Sequence, residues 1–182
     1  MATNTVSRSL HDLGLSAWFG GTLANAVALN PAAARAGDPS SSGSVANAGW
    51  DRWTPVNAAA IALHLAGSLG QLGGNSARVQ GQQGVAGMAV TKTALTAAAL
   101  AATGYSRVLG KRLSKRGDVP VSSGTEPHVA TPDEVASAQR QLKMLQWAIP
   151  ALTGALVTVS SYAGEQQRAS EVKKGVLKRL RP

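Results

Sequence analysis

Four ionisable side chains fall inside or beside long uncharged stretches of this 182-residue chain, and they are the first candidates for chemistry: His11, Asp12, His64 and Lys92. Lys92 is the only charge within the 28 residues 79–106. An ammonium group in an apolar phase has to pair or face a polar interior, and a helical Cβ points toward the start of its helix, which is the side of Asp12. If residues 79–106 form a helix inside a membrane, we therefore predict an intramembrane ion pair between Asp12 and Lys92, unless that helix begins only after Lys92.

His11 and His64 are the candidate ligands for a metal ion or a haem, because neutral imidazole nitrogens coordinate both. If the uncharged stretches are helices that cross a membrane, the rise of about 1.5 Å per residue puts His11 at the membrane surface and His64 about 14 Å inside. Two ligands of one iron have to meet, so the sequence predicts no shared site unless the helix register shifts. The alternative for His64 is a neutral, hydrogen-bonded packing residue.

Catalytic groups of other kinds find no support in the sequence. The chain has no cysteine, which excludes disulfides, thiolate-ligated zinc, iron–sulfur clusters and thiol catalysis. Its three histidines stand in no recognisable catalytic context such as G-x-S-x-G. We predict that the protein is not an enzyme and has no catalytic residue, no bound metal and no cofactor.

Helices have to position these side chains, and the spacing of charges indicates where they lie. Four stretches of at least 21 residues carry no Asp, Glu, Lys or Arg, apart from Lys92: 13–34, 53–77, 79–106 and 144–164. About 20 helical residues cross a bilayer core. Five of the seven aromatic residues lie near the ends of these stretches, as is typical of membrane interfaces: Trp50, Trp53, Tyr105, Trp147 and Tyr162.

The sequence therefore predicts an all-α fold, a four-helix transmembrane bundle with spans at 10–29, 54–73, 84–106 and 144–163. Residues 1–164 form the membrane domain, and residues 165–182 form a basic C-terminal tail. The expected location is the cell membrane, with the lipid bilayer as the first partner. Because the stretches are rich in Ala, Gly, Ser and Thr, a soluble Ala-rich bundle is the alternative.

The connections between spans are predicted from Pro, Gly and charge. Residues Ala32–Asp51 are rich in Gly, Ser and Pro and predict a flexible loop, and Thr54-Pro55 predicts the start of the second span. Asn75–Gln83 predicts a short polar link. The third loop, Arg107–Lys143, begins basic, and we expect no regular element in its middle. Thr131-Pro132-Asp133-Glu134 then predicts a capping box and a helix that continues into the fourth span.

Two surfaces are candidates for contacts with partners. In the second span, small residues at every fourth position predict a close-packing face: Ala58, Ala62, Ala66 and Gly70. The tail alternates apolar and basic residues at helical spacing, which predicts binding to anionic lipid headgroups through Lys173, Lys174, Lys178 and Arg179. The alternative for the second span is a spacing that arises by chance in an Ala-rich sequence. The alternative for the tail is a charged segment that lies in solvent. The net charge of +9 comes without interleaved aromatic residues, so nucleic acid is not an expected partner, whereas other membrane proteins or a second copy are.

The orientation in the membrane stays open. With four spans, the side of both termini carries 8 Lys and Arg residues and the other side carries 9, so neither side has the positive excess that marks the cytoplasm. In addition, Ala34-Arg35-Ala36 resembles a signal-peptide cleavage site, and cleavage there would remove the first span.

Two segments carry a resemblance to known proteins. They are His11-Asp12-Leu13-Gly14 through Trp18-Phe19-Gly20-Gly21, and Arg140-Gln141-Leu142-Lys143 through Trp147-Ala148-Ile149-Pro150-Ala151-Leu152. Both resemble a group of uncharacterised actinobacterial four-span membrane proteins, which implies a membrane location and no activity. The Trp-Phe-Gly-Gly motif is also similar to families related to copper-resistance D proteins. We expect a polytopic membrane protein that acts as a structural or interaction component. The alternative is a small transporter or accessory subunit for a metal, a haem or a lipophilic molecule.

Overall fold

The computed structural model describes residues 2–82, 84–116 and 119–165, and over these residues the chain is mostly helical, which confirms the all-α class. The helices are α1 Ala2–Ala24, which continues through a π-helical segment Asn25–Leu29 into α2 Asn30–Ala33, then α3 Pro39–Gly74, α4 Ser76–Gly81, α5 Val85–Ser114 and α6 Asp133–Glu165. The strands are β1 Val121–Ser123 and β2 Glu126–Pro127. The tail residues Lys173, Lys174, Lys178 and Arg179 lie outside the described residues, so their contact with headgroups stays a prediction.

Helices α1 and α2 form one continuous helix, because the residues that join them keep right-handed helical angles. In the π-helical segment, the Asn30 N–H donates to the Asn25 oxygen, a bond one residue longer than that of an α-helix. The buried Asn30 side chain ties this helix to two others. Its amide donates to Gln146 Oε1 of α6 at 2.8 Å, and its oxygen accepts from Trp50 Nε1 of α3 at 3.2 Å.

Helix α3 begins at Pro39, so the predicted flexible loop Ala32–Asp51 and the predicted start at Thr54-Pro55 are wrong. The reason is a cap that lies further upstream. Asp38 Oδ1 accepts from the Ser41 N–H at 2.9 Å, and Pro39 occupies the first helical position, where its missing N–H costs nothing. Pro55 lies inside the helix. The connection to α2 therefore shrinks to residues 34–38.

The third loop contains a β-hairpin, so the expectation of no regular element there is wrong. Strands β1 and β2 pair antiparallel. Gln139 of α6, which is 1% exposed, donates from Nε2 to the Ser123 oxygen at 2.9 Å. Val121 is buried against the helices. Two short strands become stable here because helix surfaces cover them, a tertiary effect that local composition does not reveal.

Helix α6 begins at Asp133 and runs without interruption through the predicted fourth span, as the sequence pattern predicts. The predicted capping box is not formed, because Glu134 pairs with Arg116 and the Thr131 N–H donates to the His128 oxygen. The Thr131 hydroxyl bonds to the third loop instead. It donates to the Pro120 oxygen at 2.6 Å and accepts from the His128 N–H at 2.8 Å. Thr131 therefore fastens the third loop to the start of α6. The predicted link Asn75–Gln83 likewise contains a short helix, α4.

The four long helices pack in the order α3–α1–α6–α5, each antiparallel to the next. Trp18 of α1 is fully buried at their centre and contacts Ala60 of α3 and Ala99 of α5, with Leu152 of α6 beside them. Its Nε1 donates to Thr103 Oγ1 of α5 at 3.2 Å. Helices α3 and α5 are the two ends of this row and make few contacts with each other.

The predicted packing face of the second span needs correction. Ala58, Ala62, Ala66 and Gly70 are on the exposed side of α3, although Gly70 contacts Ser7 at its edge. The side that contacts α1 carries Ala60, His64 and Gly67, which are buried. The side that packs on α1 follows the alternating four- and three-residue spacing of a helix face instead, and the four-residue ladder, apart from Gly70, is left without a neighbour in the described chain.

Helices α5 and α6 are the two helices of the described chain that are long and apolar enough to cross a membrane. Only 11% of the most apolar stretch of α5 and 22% of that of α6 is buried inside the protein. A core helix of a soluble protein is buried over most of its length, which these helices are not.

Candidate functional site

The imidazole rings of His11 and His64 lie in contact between α1 and α3, with their centroids 4.6 Å apart and their planes inclined by 48°. The expectation that the two side chains lie at different depths is therefore wrong. Glycines set the register that brings them together. A Cβ at Gly14 would lie 2.4 Å from the backbone nitrogen of His64, and a Cβ at Gly67 would lie 2.2 Å from the backbone nitrogen of His11. The two helix backbones thus touch at the level of the histidines.

Both histidines are fully buried, at 1% and 0% exposure, and each keeps one nitrogen without a hydrogen-bond partner in the described part of the chain. His11 Nδ1 donates to Asp12 Oδ1 at 2.7 Å, which leaves Nε2 free. His64 Nε2 lies 3.4 Å from Thr96 Oγ1 of α5, which leaves Nδ1 free. The His64 ring also contacts Trp18 edge-on, with centroids 6.0 Å apart. A carboxylate that holds one imidazole nitrogen orients the ring and directs chemistry to the other nitrogen.

The histidine pair does not fit a haem. A metal–nitrogen bond of about 2 Å on each side of an iron places the centres of two opposing imidazoles roughly 6 Å apart. The observed separation of 4.6 Å is shorter and leaves no room for a porphyrin. Within the described ranges, no group of three or more His, Asp or Glu residues is placed to hold a metal ion.

Asp12 and Lys92 share one cavity, but the predicted ion pair is not formed. The cavity has a volume of about 260 Å³ and lies where α1, α3, α5 and α6 meet; we call it the polar pocket. The Asp12 carboxylate bonds to His11 instead. His11 is its neighbour on the same helix, whereas Lys92 is on another helix. The residues around the polar pocket are mostly polar: Arg8, His11, Asp12, Leu15, Ser16, Gln71, Lys92, Val157, Ser160, Ser161 and Ala163.

A second cavity, which we call the apolar cleft, opens between α3 and α5 at the opposite end of the bundle. Its volume is about 310 Å³, and its surface is mainly apolar. Trp50 and Trp53 of α3, Leu100 of α5 and Ile149 of α6 contribute to it, and Arg107 lies at its edge, where it pairs with Asp51 at 2.9 Å. The cleft exists because α3 and α5 lie at the two ends of the helix row and pack only loosely against each other.

Sequence reasoning assigned Trp50 and Trp53 to a membrane interface and missed the apolar cleft. The signal was present in the spacing of Ala46, Trp50, Trp53, Asn57 and Ile61, which recur every three or four residues along one face of α3. This spacing can be recognised as one helix face only when α3 is known to begin before Ala46.

Comparisons with known proteins return no match for this chain, neither among protein-family models nor among curated proteins nor among solved structures. The resemblance to actinobacterial four-span proteins therefore stays a prediction.

Proposed function

We propose that this chain is a polytopic protein of the cell membrane in which all four long helices lie in the bilayer, and that it holds a lipophilic molecule in the apolar cleft. The membrane part rests on polar side chains that are buried beside the apolar core and on large apolar side chains that are exposed. Asn25, Asn57 and Thr153 are buried between helices, whereas Leu13 and Leu69 are 66% and 72% exposed. In a lipid bilayer, apolar side chains are stable on the outside of a helix bundle, and polar side chains are stable where they form hydrogen bonds between helices.

The apolar cleft is the observation that carries the binding function. Drug-sized ligands occupy mainly apolar cavities of about 300–1,000 Å³ with a few polar groups that fix their orientation. Three residues of the cleft keep a buried polar atom without a partner in the described chain: Trp53 Nε1, Asn57 Oδ1 and Arg107 Nε. A mainly apolar molecule with a few polar groups matches this set. A protein that holds such a molecule acts as a carrier or an accessory subunit.

Single cysteines test the membrane part, since the natural chain has none. Ala34→Cys, Gly81→Cys and Ser122→Cys lie at exposed positions in three connections. With four spans, a membrane-impermeant maleimide labels Ala34→Cys and Ser122→Cys from the same side and Gly81→Cys from the other. If only α5 and α6 cross, Ala34→Cys and Gly81→Cys share a side. Labelling of all three from one side contradicts both arrangements.

Extraction of the purified protein with organic solvent, followed by mass spectrometry, tests the binding part. Gly104 lies in the cleft on α5, and Gly87 lies on the same helix outside it; neither has an atom within 4 Å of its Cβ position. We expect Gly104→Leu to fill part of the cleft and to lose a co-purifying lipophilic molecule that Gly87→Leu retains. Equal retention by both variants, or no such molecule in the natural protein, contradicts the assignment.

A structural or interaction component is the second candidate, and the exposed ladder Ala58, Ala62, Ala66 and Gly70 favours it. Small residues every four positions allow close approach of another membrane helix, and a second copy of this chain offers the same face. Ala62→Leu is expected to reduce a dimer to a monomer in sedimentation experiments in detergent. Leu63→Ala, an exposed neighbour outside the ladder, is the matched control.

A further inference from the structure

The polar pocket carries more positive than negative charge. Arg8 and Lys92 lie around it with a single carboxylate, Asp12, and that carboxylate already bonds to His11. Within the described part of the chain, neither Arg8 nor Lys92 forms an ion pair. Arg8 is exposed, whereas Lys92 is half-buried, and a charge that is partly removed from water without a partner is costly. An anion in the pocket would balance the excess.

Hydrogen-bond donors of the pocket also lack partners. Gln71 Nε2 and Ser160 Oγ are buried and have no partner among the described residues. They belong to α3 and α6, whereas Arg8 is on α1 and Lys92 is on α5. Each of the four long helices thus contributes one donor to the same cavity. Buried donors without partners are rare and call for an explanation, and an anion with several oxygens is an acceptor that can serve donors from four directions.

We propose that the polar pocket binds a phosphate group. Charged and neutral N–H and O–H donors together are the groups that bind phosphate oxygens strongly. The pocket includes Arg8 near the beginning of α1 and Ser161 near the end of α6. In the proposed four-span arrangement this is the headgroup level, where basic pockets between helices hold anionic lipids. The phosphate comes either from a phospholipid headgroup or from solution. Only the lipid source rests on the proposed membrane location, and the cysteine labelling above tests that location separately.

Binding to the full-length protein in detergent tests the proposal with two probes. Dioleoyl phosphatidylglycerol is added and retention is measured by native mass spectrometry, with dioleoylglycerol as the lipid without phosphate. Inorganic phosphate is added separately, and the thermal unfolding midpoint is measured. Lys92→Gln removes one charge from the pocket. Lys111→Gln makes the same change at an exposed position on the same helix, outside the pocket.

Loss of one charge-assisted hydrogen bond weakens binding by at least about tenfold. Such a loss of phosphatidylglycerol in Lys92→Gln, with Lys111→Gln unchanged, supports a headgroup site. A phosphate-dependent rise of the midpoint that Lys92→Gln alone loses supports a site for free phosphate. If neither probe binds, or if Lys92→Gln binds as the natural protein does, the proposal is overturned. Should Lys92→Gln fail to fold, Ser160→Ala removes a donor with little change in volume, and unaltered binding by that variant overturns the proposal in the same way.

Discussion

An alanine at position 14 tests the close approach of α1 and α3 on which the histidine contact depends. A Cβ there would lie 2.4 Å from both the Ala60 oxygen and the His64 nitrogen. Ordinary contact between such atoms needs about 3.5 Å. Both obstructing atoms are helix backbone and cannot rotate away as a side chain would. The two helices therefore have to separate by about 1 Å at this point.

The expected cost follows from this displacement. Overpacking a well-packed interface costs about 1–3 kcal/mol, and a clash with backbone on two sides belongs at the upper end. Alanine favours a helix over glycine by about 1 kcal/mol, which offsets part of the loss. We expect Gly14→Ala to lower the free energy of unfolding by about 2 kcal/mol.

Gly20 supplies the matched control, because it lies on the same helix and no atom lies within 4 Å of its Cβ position. Gly20→Ala should leave stability unchanged or raise it by up to about 1 kcal/mol. The assay is reversible unfolding in mixed detergent micelles, followed by circular dichroism. If Gly14→Ala proves as stable as Gly20→Ala, the helices do not approach as closely as described, and the register of the histidine pair loses its explanation.

Three further outcomes follow from the same contacts. Gly67→Ala should also destabilise the protein, and its effect combined with Gly14→Ala should be less than the sum, because one separation of the helices relieves both clashes; unfolding of the double variant measures this. Trp18→Phe removes the bond to Thr103 Oγ1 and leaves a cavity beside the smaller ring, so it should cost at least about 1 kcal/mol in the same assay; an unchanged midpoint would contradict both the bond and the close packing of the indole. Asp38→Ala removes the cap of α3 and should cost about 1 kcal/mol, with faster hydrogen exchange confined to the first turns of that helix; uniform exchange would argue against the cap.

The spacing of charges was enough to predict helices, and the residues Thr131-Pro132-Asp133-Glu134 indicated where α6 starts, although the capping box itself is not formed. The start of α3 could not be predicted from composition, because loop-forming residues and helix-stabilising contacts oppose each other there. Gly, Ser and Pro at residues 39–43 are typical of loops, yet the Asp38 cap and the burial of Ser42 and Ala46 favour a helix. Tertiary contacts thus override weak local propensity, as they do in most helices.

The candidate site could be predicted in its members but not in its geometry. His11, Asp12, His64 and Lys92 were recognised because charge is rare in these stretches. Their arrangement depends on helix register, which the ends of uncharged stretches do not fix. Gly14 fixes it by contact, and the sequence does not distinguish a glycine needed for close approach from one with open space around it, such as Gly20.

The two cavities lie at opposite ends of one packed layer, and this bears on the kind of activity the fold can support. Trp18, Ala60 and Ala99 are each at most 3% exposed and form the core between the polar pocket and the apolar cleft. None of the three belongs to either cavity. A pore would need polar or open space through this layer, whereas a fully buried indole that also bonds to Thr103 fills it. The geometry therefore favours the two separate sites proposed above, one for an apolar molecule and one for an anion, over a path that would conduct either of them through the bundle.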